Sequence, residues 1–354
     1  MAKYGYANNL FHITRQLFMR AINAGIMIPG DIILTTSDAW ESAWIRTFTF
    51  SDISHVMICV STSSVMDSTG DGVHARNPEK MFYPESCEIY VMRFRTPPAP
   101  LVIERAIEYC RNATATAYDI SEAVKSILPK KGQGNPKMFC SRLVAKAYAS
   151  AGINLVANPD FCTPQELKAS HYLEQVSESW IDVSDEDVNT VLVQVGDSTI
   201  GMRKVTMQFV DGVKKLDSKV ESLNDAIKLA IERPDLDEKI NQLLVESGYL
   251  QYWSVEEQKY PWRYEITEMV RYENSNINTR VLMIEQLKEY CSITMINETN
   301  GVFQHWDISL KSINKLHQEH RRHTLASLQG LYINLLEHRT KMVLTAKIWL
   351  QWKS

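Results

Sequence analysis

Apolar residues recur at Leu10, Phe11, Thr14, Leu17, Phe18, Ala21 and Ile22, with Arg15, Gln16, Arg20 and Asn23 between them. The spacing predicts an amphipathic helix within residues 1–28, packed on the domain C-terminal to it. The pattern then shortens. IPGDIILTT is a Pro-Gly turn feeding a short apolar strand, and DAWESAWIRTFTF sets Trp40, Trp44 and Phe48 at helical spacing. In SDISHVMICV the run from Val56 to Val60 is continuously apolar and has the length of a buried strand. VSTSSVMDSTGDGVHARN reads as strand, polar turn, strand, and CEIYVMRF is a further strand closed by TPPAP. LVIERAIEYCRNA predicts an amphipathic helix, KKGQGNPKM a loop, and FCSRLVAKAYASAG a helix ended by Gly152.

After CTPQELKAS the texture becomes helical. Long patterns run through DGVKKLDSKVESLNDAIKLAIERP, DLDEKINQLLVESG, NTRVLMIEQLKEYC and a terminal stretch from Asp307 to Trp352. VNTVLVQV and KVTMQFV suggest a short β-hairpin joining the two parts. The expected division is an N-terminal helix at 1–28, a strand-rich unit at 29–175, and a mainly α-helical domain at 176–354. In the terminal stretch Ile313, Leu316, Leu328, Leu331, Leu335 and Val343 follow one stripe, and Lys311, Lys315, Arg321, Arg322, Arg339, Lys341 and Lys347 follow another. A solvated basic face is the plainer explanation, and an acidic protein surface, an anionic membrane or a nucleic acid is the alternative.

Composition narrows the class. With 354 residues, 45% hydrophobic and 23% charged, the chain has the profile of a globular protein. Its net charge of −4 argues against nucleic acid as a whole-chain partner. No apolar run reaches the roughly 18 residues of a membrane span, and the N-terminus lacks a signal-peptide h-region. The expected location is therefore the cytoplasm, with delivery as an effector left open. The cysteines Cys59, Cys87, Cys110, Cys140, Cys162 and Cys291 form no C-x-x-C pair and read as reduced thiols. His55 and Cys59 are four apart, about 13 Å on a strand, so they cannot share a metal. No cofactor and no metal are expected.

Two residues carry candidate chemistry. His55 opens an apolar strand, either as a core residue with one satisfied hydrogen bond or as a group placed for proton transfer. Cys140 follows a Gly-rich loop and opens a helix, where unpaired N–H groups and the positive end of the dipole favour thiolates. The same N–H groups can hold an oxyanion.

Taken in order, GDIILTTSDAWESAWIRTFTFSDISHVMICV, VMDSTGDGV, AYDI, FCSRLVAKAYASAGINL and TPQEL resemble circularly permuted NlpC-type cysteine peptidases. This is the papain-like branch of the YaeF/YiiX amidase-like proteins, with lecithin–retinol acyltransferase as a relative. The resemblance covers about residues 29–170. It implies an α+β fold in which an antiparallel sheet packs on a nucleophile-bearing helix, here joined to the mainly α-helical C-terminal domain. It implies Cys140 as nucleophile, His55 as general base and Asp67 as the residue orienting the imidazole, with Asp71 and His74 as substitutes for the third. Asp67 shares the face of His55 only if the intervening turn has an odd number of residues. Tyr118 matches a family tyrosine near the oxyanion, and Ser54 and Ser141 flank the two principal residues as further candidates.

The function so implied is a cysteine amidase or peptidase working through a thioester, on a peptide, isopeptide or acyl-lipid substrate. The alternatives are a lipid acyltransferase or thioesterase on the same residues, and an inactive interaction module. Residues 176–354 are expected to select a substrate or a protein partner.

Overall fold

The structure is a computed structural model that describes residues 18–36, 53–61, 63–116, 139–189, 197–275, 280–300 and 302–353. The strands are β1 (Phe18–Ile22), β2 (Ile32–Thr35), β3 (His55–Ser61), β4 (Ser64–Thr69), β5 (Gly72–Arg76), β6 (Phe82–Pro84), β7 (Ile89–Phe94), β8 (Leu173–Gln175) and β9 (Trp180–Ser184). The helices are α1 (Pro100–Asn112), α2 (Cys140–Ser150), α3 (Pro164–Lys168), α4 (Asp185–Asn189), α5 (Ser198–Lys214), α6 (Leu223–Glu232), α7 (Pro234–Glu246), α8 (Trp253–Lys259), α9 (Ile266–Glu273), α10 (Arg280–Asn300), α11 (Val302–His320) and α12 (His323–Lys353).

The fold is α+β, with two antiparallel sheets and a helical C-terminal region. The larger sheet has the order β5-β4-β3-β2-β7-β8, and the smaller one β6-β1-β9. Both faces of the larger sheet are covered, so β3 is apolar throughout instead of alternating. Val56, Ile58 and Val60 pack with Leu143, Val144 and Ala147 of α2 on one face. Met57, Cys59 and Val65 pack with Ile22, Met27 and Met81 on the other. Gly30 turns the chain into β2 at φ +94°, and a Cβ there would stand 2.6 Å from Ile103. Its carbonyl accepts the Tyr148 hydroxyl, which ties α2 to the head of β2. Buried Asp31 takes both prongs of Arg93, at 2.8 and 2.7 Å.

Several expectations need correcting. Phe18, Ala21 and Ile22 belong to a strand, not a helix, because β1 is paired on both sides, to β6 and to β9. The earlier part of that expected helix, and the segment with Trp40, Trp44 and Phe48, lie outside the described residues. The strands do not stop at residue 175, since β9 comes after it and completes the sheet around β1. KVTMQFV is inside α5, where Thr206, Phe209, Val210 and Val213 are buried at helical spacing. Its β-branched residues suggested a strand, but the 3.6-residue period decided its state. Residues 190–195 of VNTVLVQV lie outside the described residues.

The terminal stretch breaks at Arg321, φ 51°, into α11 and α12, which fold back on each other. Its apolar stripe is thus two facing helices sharing one core, with Ile313 and Leu316 meeting Leu328 and Leu331. Asp237 accepts the first-turn N–H groups of His323 and Thr324 at 2.6 and 3.1 Å, capping α12. Much of the basic stripe is spent internally. Arg322 donates to the carbonyls of Ala230 and Ile231, Arg339 pairs with Glu298 and Asp307, and Lys341 lies near Glu257.

Candidate active site

His55 begins β3 opposite Thr35 of β2, so the sheet fixes its backbone. Its side chain is 20% exposed, whereas Asp67 in the middle of β4 is fully buried. Nε2 of His55 lies 2.8 Å from Oδ2 of Asp67. Cys140 also acts on the imidazole and helps hold its proton. With Nε2 committed to Asp67, Nδ1 is the nitrogen left to engage a thiol. Cys140 is the first residue of α2, and Phe139 at its N-cap gives no side-chain hydrogen bond to the helix start. Its first-turn N–H groups are therefore open to a ligand at the sulfur.

A bulge brings the pair onto one face. Ser61 pairs with Ser64, but the register then shifts, and Cys59 pairs with Val65 and Ile58 with Met66. Continuing that register puts Asp67 opposite Met57, two residues from His55 and on the same side. Without the extra residue Asp67 would stand opposite Ile58 and point to the other face.

Burial by itself would lower the His55 pKa, but the hydrogen bonds to Asp67 and Cys140 and the charges of both outweigh it and carry it to about 10. Burial likewise would raise Asp67, yet the His55 hydrogen bond and the charges of His55, His74 and Arg76 hold it below the usual carboxylate range. An ordinary imidazole in the unfolded chain titrates near 6.5. The bound proton therefore favours the fold fully below about pH 6.5, and that contribution is lost as pH rises through about 10. The gap in unfolding free energy between the native chain and His55→Gln should accordingly be widest near about pH 6 and shrink toward about pH 10. A denaturation series in which the gap grew with pH would contradict this linkage.

Two arginines that the sequence did not single out complete the site. Arg76 donates to Oδ2 of Asp67 at 3.2 Å, and the β4–β5 pairing that sets Asp67 against His74 brings it there. Arg203, from α5, stands 2.9 Å from Nε2 of His74 and 3.0 Å from Asp71. A guanidinium only donates, so His74 accepts at Nε2 and carries its proton on Nδ1, 2.8 Å from the Gly72 carbonyl. Burial, with Arg203 and Arg76, lowers the His74 pKa against the pull of Asp67 and Gly72. His74 Nε2 is 3.4 Å from Oδ1 of Asp67, which has no hydrogen-bond partner among the described residues. The carboxylate is thus committed through Oδ2 alone. Arg76 was within reach of a register argument from the Gly-Asp-Gly turn, but Arg203 left no local signal.

Arg203→Met should let His74 bind a proton at Nε2 and donate to Oδ1 of Asp67. A second cation on that carboxylate weakens its hold on His55, so the His55 titration should fall from about 10. NMR titration of the imidazole C–H resonances reads this directly, and His74→Phe in the same chain should restore it. Unchanged His55 titration in Arg203→Met would remove the link.

The two candidate serines bond outside this cluster. The Ser141 hydroxyl donates to the Cys162 carbonyl at 2.6 Å, and that of Ser54 to the Thr35 carbonyl at 3.4 Å. Both serve packing of the elements that carry Cys140 and His55. Asp71 is exposed and pairs with Arg203. Tyr118 lies outside the described residues. Among the described residues no three His, Cys, Asp or Glu side chains converge as a metal site, and no helix is long and apolar enough to cross a membrane.

No family model matches this sequence, and no curated protein matches it. Among solved structures, the crystal structure of metalloprotein YiiX from Escherichia coli O157:H7 is similar over 44% of this chain and 98% of that one, at 18% identity and a TM-score of 0.33. The chemistry of the site rests on its own geometry.

Proposed function

We propose that the chain is a cysteine hydrolase of amidase or peptidase type, with Cys140 as nucleophile, His55 as base and Asp67 as the residue that orients and charges it. The observation that carries this reading is His55 bonded at Nε2 to a buried carboxylate, with Cys140 near enough to act on the same imidazole. With the proton already held on His55, sulfur attacks the substrate carbonyl, and the C–S bond forms while the carbonyl electrons move to oxygen. The first-turn N–H groups of α2 are placed to receive that oxyanion. When the C–N bond breaks, His55 returns its proton to the leaving amine. Water then attacks the thioester, releasing the acid and the free thiol. A histidine strand that precedes the nucleophile helix is the order expected of a permuted papain-like site, and it supports this reading.

Intact-mass spectrometry after iodoacetamide, and separately after candidate amide, ester and thioester donors, tests it. Burial pushes the thiols of Cys59, Cys110, Cys162 and Cys291 up, which slows them toward alkylation, and Cys87 is shielded at 1% exposure. Cys140 should therefore label first, and a transient acyl adduct on it should give the donor class. First labelling at Cys59 or Cys110, with no adduct from any donor, would overturn the reading.

A further inference from the structure

Between the β4–β5 edge and the helical region lies a cavity of about 600 Å³, within the size range of sites that enclose a small organic molecule. Met66 and Val73 of the sheet, Met202 and Met207 of α5, Ile227 of α6 and Leu335 of α12 form apolar walls. Cys140 and His55 are not among its lining residues. The cavity borders the cysteine site at His74 and Arg203 but does not include its reacting groups, so binding and chemistry can be measured separately.

The charges around it leave one imbalance. Arg203 lines the cavity but pairs with Asp71, and Glu256 lines it but pairs with Arg263 at 3.1 Å. Arg111, on the last turn of α1, also lines it, and among the described residues no acidic side chain comes within ion-pair distance of its guanidinium. Burial pulls Arg111 down from its ordinary value, more than Cys110, Tyr332 and Glu108 pull it up. His305, beside it on α11, is held to about 4 by burial and by Arg111, so it adds no second cation at neutral pH. His74 at the sheet side is also held low. A guanidinium with no acidic partner among the described residues, set in an apolar enclosure, is complemented by one negative charge on an apolar body, and its planar fork matches the two oxygens of a carboxylate.

We propose that this cavity binds an amphipathic monocarboxylate, with its carboxylate on Arg111 and its apolar body between α5, α6 and the sheet. Neutral His305 offers a further hydrogen bond to the same head group. The occupant would lie across both parts of the chain.

Calorimetric titration of the full chain with decanoate, decan-1-ol and decylamine tests this. Decanoate should bind one to one and decanol about tenfold or more weaker, since a charged hydrogen-bonded pair contributes about 1.5–3 kcal/mol. Decylamine should not bind. Arg111→Gln should reduce decanoate affinity about tenfold or more and leave decanol unchanged, and Met202→Trp should exclude both. Equal affinity for acid and alcohol, or an Arg111→Gln affinity equal to that of the native chain, overturns the proposal. A photoreactive decanoate on the unmodified chain supplies a measurement independent of variant folding: crosslinks should fall on α1, α5, α6, α11, α12 or the β4–β5 strands, and crosslinks confined to peptides elsewhere, those around Cys140 included, overturn it too.

Discussion

Cys140→Ala and His55→Ala should each cut hydrolysis of an activated ester by roughly a thousandfold or more, and the double variant should be no slower than either alone. The reason is that sulfur and imidazole act as one unit, each useless without the other. Their effects on stability should differ. Cys140→Ala removes one atom from a helix start and should leave the melting temperature nearly unchanged. His55→Ala strips Asp67, fully buried, of its partner at 2.8 Å and leaves it only Arg76 at 3.2 Å. Breaking a buried charged pair from one side costs about 3–5 kcal/mol, so this variant should melt well below the native chain. Activity must therefore be expressed per folded molecule. If His55→Ala kept its activity on that scale, the histidine would be a packing residue and the proposed chemistry would fall.

A chain ending after Gln175 should not fold. It would lack β9, which pairs with β1 over five residues from Phe18 to Ile22. It would also lack Ser179, whose hydroxyl accepts from the Val91 N–H at 3.1 Å and whose carbonyl accepts from Asn23. Ile22 and Met27, now buried, would lose part of their cover. Each such side chain contributes about 1.5–3 kcal/mol when buried, and a domain's whole margin is about 5–15 kcal/mol. Ending the chain after Asn189 keeps β9 and should recover soluble protein, though without Arg203 on His74. Circular dichroism melts of the two truncated chains decide the matter. A cooperative melt from the shorter one, with native reactivity toward a small ester, would place the division at residue 175 after all.

The sequence alone determined the elements whose information is local. β2, β3, β4, β5 and β7 and helices α1 and α2 follow from runs of apolar residues, from the period of each run, and from turns such as those at Gly30, Gly72 and Gly152, all at positive φ. A Cys at a helix start and a His at a strand start were equally readable, because both are statements about one segment. Tertiary structure decided the rest. β1 took its state from β6 and β9, partners that lie far along the chain, and the pairing overrode a local helical period. KVTMQFV went the other way, because the core it meets in α5 rewards one face of a helix. The relation of Asp67 to His55 turned on a single extra residue in β3, since a one-residue shift of register reverses every side chain and composition carries no trace of it. Arg203 reaches His74 across 129 positions of chain. A contact of that range depends on how whole layers pack, so only the folded chain could place that charge beside the site.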